Sequence, residues 1–228
     1  MIGTLNEGSL HATLKLLYAE PGDEFEVKLD GFVIDIKRDD LLIEIQTSSL
    51  GALGRKLDHL LPSHSILLVH PIAVETRLIK PGAKPRRSPK RGTIYSLFDE
   101  LVSVPTLLDH PNLQLEVVLA SVDKLQINDP TLRRRRGGWR TVDRRLDTVI
   151  ETRRFNHLAD LAELLPSDLP PEFTTADIAS QTPVTRSQAQ KMAYCFRSCE
   201  VFETIDRNKT GYVYRIHPRF RLPETTST

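Results

Sequence analysis

Strict alternation of apolar and polar positions marks Val33-Ile-Asp-Ile-Lys-Arg-Asp-Asp-Leu-Leu-Ile-Glu-Ile-Gln-Thr47 as a β-hairpin. With Asp39-Asp40 as its two-residue turn, facing residues sum to 79, which sets Asp35 opposite Glu44. The period of two then sends Ile34, Ile36, Ile43 and Ile45 to one face, and Asp35, Glu44 and Gln46 to the other. A helical period flanks the hairpin on both sides. From Glu7 to Tyr18, Leu10, Leu14 and Leu17 form an apolar stripe, while Glu7 and His11, four apart, share another face. From Leu50 to Leu61 the stripe is Leu50, Leu53, Leu57, Leu60 and Leu61, ended by Pro62.

Beyond this point short apolar runs predict strands at Ser65 to Val69, Val74 to Ile79 and Leu113 to Val122, with a helix from Ile94 to about Leu108. His70 and His110 each precede a proline and read as structural loop residues. The expected fold class is α/β (α+β), a mixed sheet flanked by helices, over residues 1–150. A different pattern occupies 151–228. A short helix runs from His157 to Leu165, Thr174 caps a second, and Thr185-Arg-Ser-Gln188 is a capping box opening a third. Ala189, Met192, Ala193 and Phe196 are the buried stripe of that third helix. Val201 to Ile205 and Tyr212 to Ile216 then predict a hairpin joined by Asp206-Arg-Asn-Lys-Thr-Gly211.

Composition narrows the function classes. The 228 residues are 39% hydrophobic and 27% charged. No stretch approaches the roughly 18 apolar residues of a membrane span, and no basic-then-apolar leader opens the chain. A cytoplasmic protein without a membrane partner is expected. Cys195 and Cys199, four apart on a helix, read as free thiols. The net charge is only +1, but the cations are clustered. Six of the twelve residues from Lys80 to Arg91 are Lys or Arg, among three prolines. Arg133 to Arg145 holds seven Arg and one Asp. Two such basic loops suit a phosphate backbone. Arg86, Arg87, Lys90, Arg91, Arg134 and Arg135 are the candidate contacts.

Carboxylates facing each other on adjacent strands repel unless a positive charge lies between them. Mg²⁺ satisfies that need with one or two carboxylates and retained waters. Asp35, then Glu44-Ile45-Gln46, then a helix carrying Arg55 and Lys56, resembles the core of the PD-(D/E)xK, or restriction-endonuclease-like, nuclease superfamily. That resemblance covers about the first 80 residues. It implies a Mg²⁺ (or Mn²⁺) site at Asp35, Glu44 and the carbonyl of Ile45, with phosphodiester hydrolysis of DNA as the activity. It also implies that a leading helix adds an acid, for which Glu7 is placed. Gln46 stands where the motif usually has Lys, so Lys56, or Lys37 beside Asp35, is the candidate for the missing charge.

The order of elements over residues 157–218 resembles a winged helix-turn-helix domain, with the third helix as recognition helix. Arg186, Gln190 and Lys191 would then face DNA bases, and Arg207 and Lys209 would lie at the wing tip. Together these features point to a metal-dependent DNA endonuclease, and the whole chain, including Arg86-Arg-Ser-Pro-Lys-Arg-Gly92 and Gln190-Lys-Met-Ala-Tyr194, resembles an uncharacterised bacterial family of such nuclease-like proteins. RNA stays open as substrate, and so does oligomeric state, although cutting both strands with one site per chain favours a homodimer. Two other readings stand beside it. One is a non-catalytic DNA-binding regulator with a degenerate core. The other is a protein-interaction module of a defence or mobile-element system.

Overall fold

The structure is a computed structural model that describes residues 8–132, 138–209 and 211–220. The chain forms two compact units, one from residues 1–94 and 114–154, the other from 95–113 and 155–228. The second unit is thus assembled from two separated stretches, where a division near residue 150 was expected.

The first unit is a mixed sheet with helices. Helix α1 (Ser9–Tyr18) leads into β1 (Glu24–Leu29), β2 (Phe32–Arg38) and β3 (Leu41–Ile45). A 3-10 turn (Leu50–Leu53) and α2 (Gly54–Leu60) follow, then β4 (Ser65–Ile79), β5 (Arg86–Arg87), β6 (Leu113–Asn128) and β7 (Trp139–Phe155). The sheet order is β1-β2-β3-β4-β6-β7, with β5 paired to β4. β1, β2 and β3 form an antiparallel meander, whereas β3 and β4 are parallel. A parallel pair needs a crossover, and the segment containing α2 supplies it.

The β2–β3 register is the expected one: Ile36 pairs with Ile43, Lys37 with Leu42 and Arg38 with Leu41. Asp39 makes the turn at φ 49°, a left-handed conformation that Asp tolerates better than most residues. Ile36, Ile43 and Ile45 join Leu10 and Leu14 of α1, Leu67 and Val69 of β4, and Val118, Ala120 and Val122 of β6 in one apolar cluster. The α1 stripe differs from expectation at its end, because Leu17 is exposed and Tyr18 packs against the cluster instead. The Tyr18 hydroxyl donates to Glu116, which also accepts from Arg154 Nε at 2.6 Å. β3 is buried on both faces, since Leu42 and Glu44 are also nearly inaccessible.

Three further departures have local causes. His70-Pro71 does not end a strand. β4 runs unbroken for 15 residues, and Pro71 falls beyond Val69, the last residue paired with β3, so its missing N–H costs that ladder nothing. The basic stretches are not simple loops. Arg86 and Arg87 form β5 against Leu78 and Arg77, and residues 139–145 belong to β7. β7 ends the strand order, and an edge strand tolerates the charges that hid it in the sequence.

In the second unit, the long helix expected from Ile94 is only α3 (Leu97–Leu101) between 3-10 turns. Pro105 disfavours the helical conformation of the residue before it. α4 (Leu158–Ala162), α5 (Thr175–Gln181) and α6 (Arg186–Ser198) precede a hairpin of β8 (Phe202–Asn208) and β9 (Gly211–Ile216). Thr174 and Thr185 cap α5 and α6 in full capping boxes with Asp177 and Gln188. Phe98 of α3 packs against Phe196 of α6 with ring centroids 5.4 Å apart, and Cys199 Sγ donates to the Pro105 carbonyl at 2.8 Å. These contacts draw residues 95–113 into this unit. Cys195 and Cys199 are buried free thiols whose pKa values burial pushes up to about 12 and about 11. Among the described residues no helix is long and apolar enough to cross a membrane.

Candidate acidic site and its cationic cleft

The site lies where the β2–β3 ladder ends. Beyond the Ile36–Ile43 pair, the Asp35 side chain takes the place of a backbone partner: its Oδ2 accepts from Ile45 N at 2.8 Å. The same oxygen lies 3.2 Å from His11 Nε2 of α1. His11 thus brings the leading helix to Asp35; Glu7, the residue of that helix expected at the site, lies outside the described residues.

Glu44 is the neighbouring acid, its side chain only 6% exposed. Lys56 of α2 forms an ion pair with it and donates to the Val33 carbonyl at 2.5 Å. Burial pushes the Glu44 carboxyl up to about 7; Lys56 opposes that shift and Asp35 adds to it. Of the two residues considered for the missing positive charge, Lys56 is the one at the acids. Lys37 instead pairs with Glu24 at 3.0 Å on the neighbouring strand. The Gln46 side chain turns into the following bend, its Nε2 donating to Ser48 Oγ at 3.1 Å and to the Ser49 carbonyl at 2.7 Å. Its backbone carbonyl accepts from His70 Nδ1 at 2.8 Å, which explains why His70 is buried.

His11 also lines a cleft of about 430 Å³ together with Thr47, Ser48, Lys124, Asp143 and Arg144. Arg144 Nη1 donates to the Thr47 carbonyl at 3.4 Å. Burial first, then the nearby charges of Arg144 and Lys90, hold the Lys124 ammonium below the usual lysine range. Burial works against the charge of Asp143, but hydrogen bonds from Ser9 Oγ and N outweigh it and keep its carboxyl below the usual range. Lys90 was a candidate from the sequence. Arg144 belongs to the Arg133–Arg145 basic run but was not among the individual candidates, and Lys124 lies in no local motif; the sheet brings both beside His11.

The remaining candidates are dispersed. Arg86, Arg87 and Arg91 are exposed, with Arg87 3.9 Å from Glu75. Arg134 and Arg135 lie outside the described residues. In the second unit Arg186 and Gln190 are exposed on α6, as are Arg207 and Lys209 at the hairpin tip. Lys191, also partly exposed, pairs its ammonium with Asp99 of α3 at 2.7 Å.

Among the described residues no cluster of three or more His, Cys, Asp or Glu side chains is arranged around a common metal position. The donor set at Asp35 and Glu44 fits Mg²⁺ in composition, because this ion takes one or two carboxylates and completes its shell with water. A buried carboxylate whose pKa is raised despite a lysine is also one that further positive charge would favour.

The fold is thus a mixed sheet with helices that carries two acids at the end of one hairpin and a lysine from α2 beside them. The chain belongs to the family described as Domain of unknown function (DUF8091), whose model matches residues 8–156. It is similar to an uncharacterized protein of Treponema pallidum (strain Nichols), with 34% identity over 184 residues, covering 78% of this chain and 73% of that protein. No solved structure matches the chain.

Proposed function

We propose that this protein is a metal-dependent nuclease that hydrolyses phosphodiester bonds in DNA, with Asp35 and Glu44 at its centre. The observation that carries the reading is the convergence of Asp35, Glu44, His11 and Lys56 beside a cleft lined by Lys124 and Arg144. Two acids beside a cleft of cations suit a polyanionic substrate, since the cations concentrate and orient it while the acids supply the reacting centre.

Asp35, Glu44 and the Ile45 carbonyl are the groups that would hold Mg²⁺. When bound, the ion would supply an activated water and neutralise charge building on the scissile phosphate. The protein's own groups do the rest. Ile45 N and His11 fix the orientation of Asp35. Lys56 favours the ionised form of Glu44 and brings positive charge to the site from α2, where the motif's lysine is replaced by Gln46. Lys124 and Arg144 would grip flanking phosphates. In the second unit the three helices and the hairpin support a winged-helix reading, with α6 and the β8–β9 tip addressing nucleic acid.

A second reading is favoured by the same ion pair. Lys56 already neutralises Glu44, and the Gln46 donors face Ser48 and Ser49 and not the acids. A core of that kind can hold nucleic acid without cutting it. Incubating the purified protein with supercoiled plasmid and Mg²⁺ or Mn²⁺, beside an EDTA control, separates the two. Metal-dependent nicking supports the nuclease, whereas salt-sensitive binding without nicking replaces it with the binding protein.

A further inference from the structure

Helix α6 carries one exposed stripe at spacings of four, four and three: Arg186, Gln190, Tyr194 and Arg197. Near its far end the hairpin brings two more exposed side chains. Arg207 pairs directly with Tyr212 across β8 and β9, so both project from one face of the hairpin. Tyr212 shares that face with the buried Tyr214 but is itself 40% exposed, and Tyr194 is 43% exposed. The guanidinium of Arg197 lies 5.9 Å from the Tyr194 ring and 5.8 Å from the Tyr212 ring. That of Arg207 lies 5.3 Å from the Tyr212 ring. The result is an alternating row, Tyr194, Arg197, Tyr212, Arg207.

The chemistry of this row is selective. Its exposed apolar area is aromatic, and its charges are guanidinium groups that ring contacts hold in place while leaving their N–H edges available. Among the described residues no carboxylate forms an ion pair with Arg197 or Arg207. The acids of the hairpin occupy the other face: Glu203 is paired in register with Arg215 and lies 3.8 Å from His217, and Asp206 is paired with Val213. Tyr and Arg also anchor protein interfaces, but the charges of this row are all cationic and the hairpin's acids lie on the opposite face, which suits a polyanion; intact duplex DNA offers no open base face to a tyrosine. Unpaired bases offer that face, and their backbone offers phosphates to the arginines.

We propose that Tyr194, Arg197, Tyr212 and Arg207 form a stacking platform for unpaired bases of a single-stranded nucleic acid segment. The proposal rests on the nucleic-acid reading of the chain and does not depend on cleavage at Asp35 and Glu44.

The test is anisotropy titration of the full chain in EDTA with a labelled single-stranded oligonucleotide, an abasic oligonucleotide of equal length and charge, and the matching duplex. Single-stranded DNA is expected to bind about tenfold or more tightly than the abasic strand, with Tyr194→Leu and Tyr212→Leu each removing most of that difference. Tyr212→Phe, which keeps the ring, is expected to retain it. Equal affinity of the wild-type chain for normal and abasic strands overturns the platform, and that comparison needs no variant to fold. Equal losses on single strand and duplex in both leucine variants also overturn it, by reducing the patch to charge alone. Duplex binding in the same titration, or plasmid cleavage with Mg²⁺ read separately, leaves the nuclease reading intact after such a result; absence of all nucleic-acid binding in EDTA overturns the platform.

Discussion

Glu44 is the residue whose environment has the clearest thermodynamic consequence. Burial raises its pKa from 4.5 to about 7 in the folded chain, against the pull of Lys56. Between those values the folded chain keeps a proton that the unfolded chain has released. This contribution to stability is therefore complete below about pH 4.5 and is lost as pH rises through about 7. The loss is roughly 3 kcal/mol in total, at about 1.4 kcal/mol per unit. Glu44→Gln should flatten the fall in unfolding free energy between pH 5 and 7, as read from denaturant melts in metal-free buffer. An unchanged slope would show that Glu44 ionises normally. Asp35 and Glu44 were legible as a pair because alternation and a two-residue turn are local signals. Lys124 reaches the cleft only through tertiary packing, so its place in the sequence carries no trace of it, whereas His11 shares the leading helix's Glu7 face and Arg144 lies in the Arg133–Arg145 basic run. Helical position leaves Lys191 off the buried stripe, and its partner Asp99 lies 92 residues earlier.

At the scale of elements, the hairpin register followed from the sequence because a slip of one residue would have turned Ile36 and Ile43 out of the core. Both capping boxes were equally legible. β1 and β7 were not, since both are mostly exposed and carry charges where a buried strand would show apolar alternation. β4 was split in two because Pro71 is a strong local breaker, and only the pairing pattern shows why it is tolerated. The segment after β5 is fixed to β4 by Gly92, whose N–H donates to the Ala73 carbonyl at 3.0 Å. A Cβ there would lie 2.8 Å from that carbonyl oxygen and 2.8 Å from Ile72 Cγ2. Gly92→Ala should therefore cost roughly 1–3 kcal/mol of stability, read as a lower denaturation midpoint with an unchanged slope. An unshifted midpoint would mean that the basic segment is not held against β4.

For the whole molecule, the discontinuous second unit is the feature least available to sequence reading. Residues 95–113 look like part of the first unit because they lie between its strands, yet Phe98, Asp99 and Pro105 make their contacts with α6 and Cys199. A fragment of residues 155–228 lacks that cover, leaving Phe196 exposed and Lys191 unpaired. It should melt without a cooperative transition, and added 95–113 peptide should restore one. A cooperative melt of the fragment alone would show that the insertion is dispensable. The central claim, that Asp35 and Glu44 form a hydrolytic centre, is tested most directly by plasmid cleavage. The measurement is the initial rate with Mg²⁺ or Mn²⁺ for the wild-type chain, Asp35→Asn and Glu44→Gln, each purified identically and checked for an intact melt. Metal-dependent nicking by the wild-type chain is expected, abolished by EDTA and reduced about a hundredfold or more in both variants. Equal rates in all three proteins, or no cleavage by the wild-type chain under either metal, would contradict it.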